Sequence, residues 1–406
     1  MDQNIKMYPY YYAATSFMAF LPIFFLYFSS MLSLKDVLLL ESIYYIAVVI
    51  LEVPTGYISD LIGRRITLVL GSLMLCFACV VFLIATDFYI LAIGQVLFAL
   101  HMALVSGTNT VFHYESLKSL GQEASYGDRE AMVNQYGMLA GGTAALLGGW
   151  AATYALSAAY IVSLVAGIIA LMIALKFTEP TKSSSEGKAM SSMLSQISGT
   201  ALYLRKSYLL WIFSFYVVVY IITHVPYEFY QPYLKILDEK DMLLGFSVPI
   251  VSGVLYAGAR YAGAFGARYS MIWSRKFGLL IFLMACLLLI NLIVGLMGFF
   301  LNSVVIMAVL FRSLPWAAIK APLNAIITPA IEAGQRATFH SMLSLVNRMS
   351  FFLTLILLSS LTDQKISGWP QLSYLLKVCF VIGLIIAVPL VVTGARVLSD
   401  KREGCV

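Results

Sequence analysis

The chain has 406 residues, of which 61% are hydrophobic and 11% charged, with a mean hydropathy of +0.89. A soluble domain carries roughly 25% charge, so this composition excludes a chain whose surface faces water throughout and makes lipid the fitting solvent. The net charge of +6 would suit a nucleic-acid surface only if the basic residues gathered in one patch. Their distribution follows membrane topology instead, so no nucleic-acid partner is expected.

A bilayer core needs about 20 apolar residues per helix, which leaves room here for roughly a dozen helices with short loops. Long apolar runs such as 279–292 contradict the alternating pattern of a membrane β-barrel. In chain order the apolar runs predict twelve spans, at 8–34, 36–60, 66–86, 88–116, 133–155, 157–178, 207–235, 245–271, 277–299, 302–331, 337–362 and 371–396. The expected fold is therefore an all-α membrane protein. The hydrophilic stretch 179–206 predicts a cytoplasmic linker between an N-terminal six-helix bundle, 1–178, and a C-terminal one, 207–406.

Basic residues set the orientation. With the N-terminus inside, the cytoplasmic segments hold seventeen Lys and Arg, including Arg64, Arg65, Lys118, Arg129, Arg275 and Lys276. The opposite side holds five, among them Lys35, Lys235 and Lys240. This bias places both termini in the cytoplasm of a plasma membrane, expected to be a bacterial inner membrane. Two internal echoes suggest duplication: Arg64-Arg65 and Arg275-Lys276 lie 211 residues apart, and Gly127-Asp128-Arg129 and Gly334-Gln335-Arg336 lie 207 apart. Both offsets are close to half the chain, as in secondary transporters built from repeats.

Cysteines and nucleotide motifs contribute exclusions. The five cysteines are odd in number and four sit inside apolar runs, which argues against a disulfide framework. Cys76 and Cys79 form a CxxC in the middle of an apolar helix without a second pair, so they read as packing residues. The first apolar run is too long for a cleavable leader. No G-x-x-x-x-G-K-[ST] phosphate loop occurs. No cofactor or metal is expected, and neither is enzymatic activity.

Between the second and third spans the chain reads Gly56-Tyr-Ile-Ser-Asp60-Leu-Ile-Gly63-Arg64-Arg65. Together with the two-half, twelve-span layout, this segment resembles the G-x-x-x-D-x-x-G-R-R/K loop of the major facilitator superfamily. Locally, Gly56 and Gly63 are expected to permit a tight turn, Asp60 to face a positive helix terminus, and the arginines to hold the loop at the cytoplasmic face. The resemblance implies a latch favouring the outward-open state, formed by Gly56, Asp60, Gly63, Arg64 and Arg65. Leu61 stands where a basic residue is common. Glu52, one turn earlier, is expected to belong to the same cytoplasmic gate. Span five, with Gly137, Gly141, Gly142, Gly148 and Gly149, partly resembles the family's antiporter glycine motif without its Gly-Pro step, and its bland reading is close helix packing.

Ionisable groups at mid-membrane cost on the order of 3 kcal/mol or more, so they line cavities or pair. Arg260, Arg312 and Arg348 fall near the middles of spans eight, ten and eleven, with Lys320 two turns further along span ten. They predict a basic cavity for an anionic or carboxylate-bearing solute, such as a metabolite or a siderophore; the alternative is that they are structural struts. His224 and Glu228 share a helix face and form a candidate proton-coupling pair. The aromatic run Phe229–Tyr233 is expected to line an outer gate or form an aromatic belt. His101 reads as a hydrogen-bonded packing residue, and Glu41 as solvated near the outer end of span two. Pro315, Pro322 and Pro329 predict a bent or broken span ten.

The expected function is proton-coupled secondary transport of a small solute by a monomer. Its partners would be the lipid bilayer, the solute and protons. Proton-driven efflux of amphipathic drugs is the alternative, and a membrane sensor or enzyme the reading from outside this class.

Overall fold

The computed structural model describes residues 1–180, 202–243, 245–332, 336–362 and 368–403. Most of the expected linker, Gly334-Gln335 and Cys405 lie outside the described residues. All regular structure among the described residues is helical. Helix α1 runs over Asp2–Ser16, α2 over Phe24–Phe28, α3 over Leu34–Ile62 and α4 over Arg64–Ile84. Then come α5 (Phe88–Val105), α6 (Thr108–Lys118), α7 (Tyr126–Ala151) and α8 (Ala158–Leu175). The second part of the chain forms α9 (Ser207–Asp238), α10 (Val248–Phe277), α11 (Leu279–Phe299), α12 (Ser303–Met307), α13 (Ser313–Ala330), α14 (Arg336–Ser360) and α15 (Trp369–Glu403).

Helix starts follow local chemistry. Ser33 accepts from the Asp36 backbone N–H, and Asp87 accepts from those of Tyr89 and Ile90. Asn302 does the same for Val304 and Val305. Each side chain satisfies donors that the first turn leaves without an intrahelical acceptor. Among the described residues, eight helical stretches are long and apolar enough to cross a membrane, two of them, Phe88–Lys118 and Ser303–Ile327, counted across the interruptions described below.

Three expected continuous spans are interrupted. The run 8–34 breaks into α1 and α2 around Pro22, which has no N–H for a helical bond. The run 88–116 breaks at Ser106-Gly107. The run 302–331 becomes α12, a 3-10 turn at Ala308–Phe311, and α13. Pro315, in the first turn of α13, cannot donate to the Phe311 carbonyl, and its ring crowds that group. That is the physical reason for the break, and it leaves Arg312 capping the second piece.

The chain packs as two compact units. One comprises Met1–Lys188 with Pro249–Ala257, the other Ala189–Val248 with Gly258–Val406, so α10 contributes to both. In the first unit α4 packs against α5 and α8, α3 against α5, and α1 against α7 and α8. A cluster of Tyr8, Tyr11, Phe112 and Phe177 fills one end of this core. In the second unit α9 packs against α11, α13, α14 and α15. This central position makes α9 the wall on which a site can be built.

Candidate functional site

Two polar constellations stand out, one in each unit. In the first unit the segment 56–65 contains the turn between α3 and α4, but only part of it is turn. Gly56 lies inside α3, exposed, with open space around it, so the expectation that it permits the turn is corrected. Helix α3 continues to Ile62 because nothing before Gly63 stops it. Gly63 carries the reversal alone, at φ +100°, a conformation that costs a residue with a side chain.

Directly after it, Glu179 closes the start of α4. Its Oε1 accepts from the Arg64 N–H at 2.6 Å and its Oε2 from the Arg65 N–H at 2.8 Å. A carboxylate held by two N–H groups at a helix N-terminus is a favourable arrangement. Sequence reasoning assigned the terminus-facing role to Asp60, whose side chain lies outside the described residues, and read Glu179 as the first linker residue.

The arginine side chains fan outward from this turn. Arg64 donates Nη1 to Ser59 Oγ (2.9 Å), and its Nε lies 3.8 Å from Glu115 Oε2. Arg65 donates Nη2 to the Leu175 carbonyl at 2.8 Å. The segment thus ties α3, α4, α6 and the end of α8 together. Glu52, one turn before Gly56, lies 3.5 Å from the Ser106 hydroxyl at the α5–α6 break. His113 sits 2.7 Å from Glu130, and Glu115 meets Arg64, so the two neighbours on α6 serve different partners. His101 is buried with Nδ1 2.7 Å from the Gly71 carbonyl, as a packing residue should be.

In the second unit the candidate cations converge on α9. Arg312 is buried, with its guanidinium 4.9 Å from the Tyr227 ring centroid and 5.6 Å from that of Tyr230. Lys320 is exposed, its Nζ 4.9 Å over the Trp316 ring. Arg348 is half-buried on α14. Arg312, Lys320 and Arg348 each lie near enough to His224 for their charges to reach its ring. Arg260 is exposed on α10.

His224 itself lies 2.7 Å through Nδ1 from the Tyr220 carbonyl. A carbonyl only accepts, so Nδ1 carries the hydrogen and Nε2 is the ring's basic nitrogen. Glu228, one turn on, is fully buried. The ring is flanked by Tyr220 at 4.0 Å and Phe351 at 5.0 Å, and Tyr220 meets Trp316 edge-on at 5.4 Å. Below it Tyr216 donates to Asn324 Oδ1 at 3.3 Å. This aromatic wall was not anticipated, although Tyr216, Tyr220, His224 and Tyr227 recur at helical spacing along one face of α9. Phe229–Tyr233 is buried throughout, which rules out an exposed aromatic belt. Tyr233 donates to the Phe300 carbonyl at 2.7 Å and accepts from the Asn302 N–H.

The model of the family described as the Major Facilitator Superfamily matches residues 9–355. The chain belongs to this superfamily. The whole chain also has the fold of solved transporters. It resembles the nucleoside transporter NupG, in a point-mutant form, with a TM-score of 0.81 at 11% identity over 96% of this chain and 98% of that one. A bacterial homologue of the human lysosomal transporter Spinster, inward-facing and unoccupied, gives 0.72 at 14% identity over 98% and 97%. The peptide transporter POT in complex with sulfate gives 0.72 at 12% identity over 97% and 94%. Identities this low show the fold alone. No curated protein sequence matches the chain. The chain is thus a multi-pass membrane protein with the fold of a transporter.

Proposed function

We propose that this superfamily member is a proton-coupled secondary transporter of a small anionic or carboxylate-bearing solute. Alternating access would use an N-terminal bundle, 1–178, and a C-terminal bundle, 207–406, joined by the linker 179–206, with both termini in the cytoplasm of a bacterial inner membrane. The supporting observation is that Arg312 and Lys320 lie against the rings of Tyr227, Tyr230 and Trp316 on the same aromatic wall as His224, with Arg348 near enough for its charge to reach that histidine. Three cations at one place in an apolar chain favour an anion, and the guanidinium fork of arginine matches a carboxylate. The Arg312 guanidinium rests near the rings of Tyr227 and Tyr230, which limits its freedom before a solute arrives. Arg260 is a further candidate contact. Glu228 and His224 would carry the proton, and the segment from Glu52 through Gly56, Asp60, Gly63, Arg64 and Arg65 would act as the cytoplasmic latch.

The test is uptake of labelled mono-, di- and tricarboxylates into proteoliposomes under an imposed pH gradient. Arg312→Ala and Arg348→Ala should each lower uptake at least tenfold, which corresponds to about 1.4 kcal/mol of lost binding. Wild-type uptake by both variants would remove the anion site. A second reading is efflux of amphipathic aromatic compounds, favoured by the Tyr220, Trp316 and Phe351 rings. Competition by a planar aromatic cation, with no effect of any carboxylate, would select it.

A further inference from the structure

Glu41 belongs to neither constellation. It lies in α3, where the sequence suggests a solvated outer end, yet it is only 6% exposed. Helix α5 brings Gln95, itself buried, to 2.6 Å from Glu41 Oε1. Helix α8 brings Tyr160, which is fully buried and close enough for the two groups to act on each other electrostatically. Behind Tyr160 stand Tyr27 of α2, at 4.6 Å ring to ring, and Cys79 of α4. Tyr27 has its hydroxyl on the Phe82 carbonyl at 2.6 Å. Phe20 stacks on Tyr160 at 5.0 Å. Among the described residues no basic side chain pairs with Glu41, and Gln95 is its one hydrogen-bond partner.

This is a poor place for a carboxylate ion. A buried charge needs a counter-charge or several donors, and one amide supplies neither. Amide oxygen and nitrogen exchange places by a simple flip. With Gln95 turned over, a protonated Glu41 donates its O–H to the Gln95 carbonyl oxygen. The Tyr160 hydroxyl, buried and without a hydrogen-bond partner among the described residues, is the donor that a newly formed carboxylate would require.

We propose that Glu41 is a proton-binding carboxyl in the first unit, distinct from the Glu228 and His224 pair of the second. While Glu41 is buried the proton sits on its carboxyl and is shared with Gln95. When water enters, the O–H bond breaks, the proton leaves as hydronium, and the carboxylate accepts from the Gln95 N–H and the Tyr160 hydroxyl. Uptake reverses these steps, and no other reactant is needed.

The test requires no solute, so its outcome is independent of the anion site. The full chain is reconstituted in phosphatidylethanolamine and phosphatidylglycerol liposomes, and infrared difference spectra are recorded between neutral and alkaline pH. The wild type should show the carbonyl stretch of a protonated carboxyl at neutral pH, converting to carboxylate bands as pH rises. Glu41→Gln should lose that pH-dependent component, while Glu228→Gln should retain it. Gln95→Leu should keep the component but shift its carbonyl stretch upward, because its hydrogen-bond acceptor is gone; this variant also serves if Glu41→Gln fails to fold. Identical spectra for wild type, Glu41→Gln and Gln95→Leu would overturn the proposal.

Discussion

Glu179 accepts from two backbone N–H groups at the start of α4, beside a glycine that reverses the chain. Replacing it by alanine removes both acceptors and the charge at the helix terminus. Glu179→Ala is expected to lower stability by about 1–2 kcal/mol, read as a lower unfolding temperature of the purified protein. Gly63→Ala should cost as much or more, since a Cβ there would meet the Glu179 carboxyl at 2.8 Å and the backbone stands at φ +100°. Gly56→Ala is the matched control. Its surroundings are open and it sits in a helix, so stability should hold or rise by up to about 1 kcal/mol. At Gly148 a Cβ would strike the Ala19 backbone carbonyl, so alanine there should be far more damaging than at Gly56. Arg312→Lys keeps the charge but replaces the guanidinium that lies beside Tyr227 and Tyr230. Affinity for the transported anion should fall by roughly 1 kcal/mol, or about fivefold, in a competition assay.

At the scale of elements, the broken span ten is the informative case. Regular proline spacing marks it in the sequence, but all three prolines carry the same signal there. The fold puts the break before Pro315 and leaves Pro322 and Pro329 inside α13. A proline in the first turn of a helix is tolerated, whereas the same residue within a continuous helix costs about 3 kcal/mol. Pro315→Ala should therefore let α12 join α13. Slower amide hydrogen exchange at residues 308–316 would show it, and unchanged exchange would mean that packing, not the proline, sets the break. The latch segment teaches a related lesson. The spacing of Gly56 and Gly63 suggests one turn between them, while the stretch between holds neither proline nor glycine, so α3 runs on to Ile62.

At the scale of the molecule, the composition and the basic-residue bias make a topological prediction. A single cysteine introduced as Glu239→Cys, between α9 and α10, should react with a membrane-impermeant maleimide in intact cells. Glu123→Cys, between α6 and α7, should react only after permeabilisation. Reaction of both from outside would reject the assigned orientation.

The sequence by itself determined the helical membrane class and the superfamily, because hydropathy and the Gly56–Arg65 pattern are local properties written in consecutive residues. It also singled out Arg312, Lys320, Arg348 and His224, since a charge within an apolar run is visible without a fold. It did not show that Arg312 lies against Tyr227 and Tyr230 and Lys320 against Trp316, nor that Tyr220, Trp316 and Phe351 gather around His224. The tertiary structure decided those matters, and it alone moved Glu41 from an expected solvated end to a buried contact with Gln95, 54 residues away along the chain. The reason is physical. A residue's place along the chain sets its depth on a helix, but only the packing of neighbouring helices decides whether it meets lipid, water or another side chain.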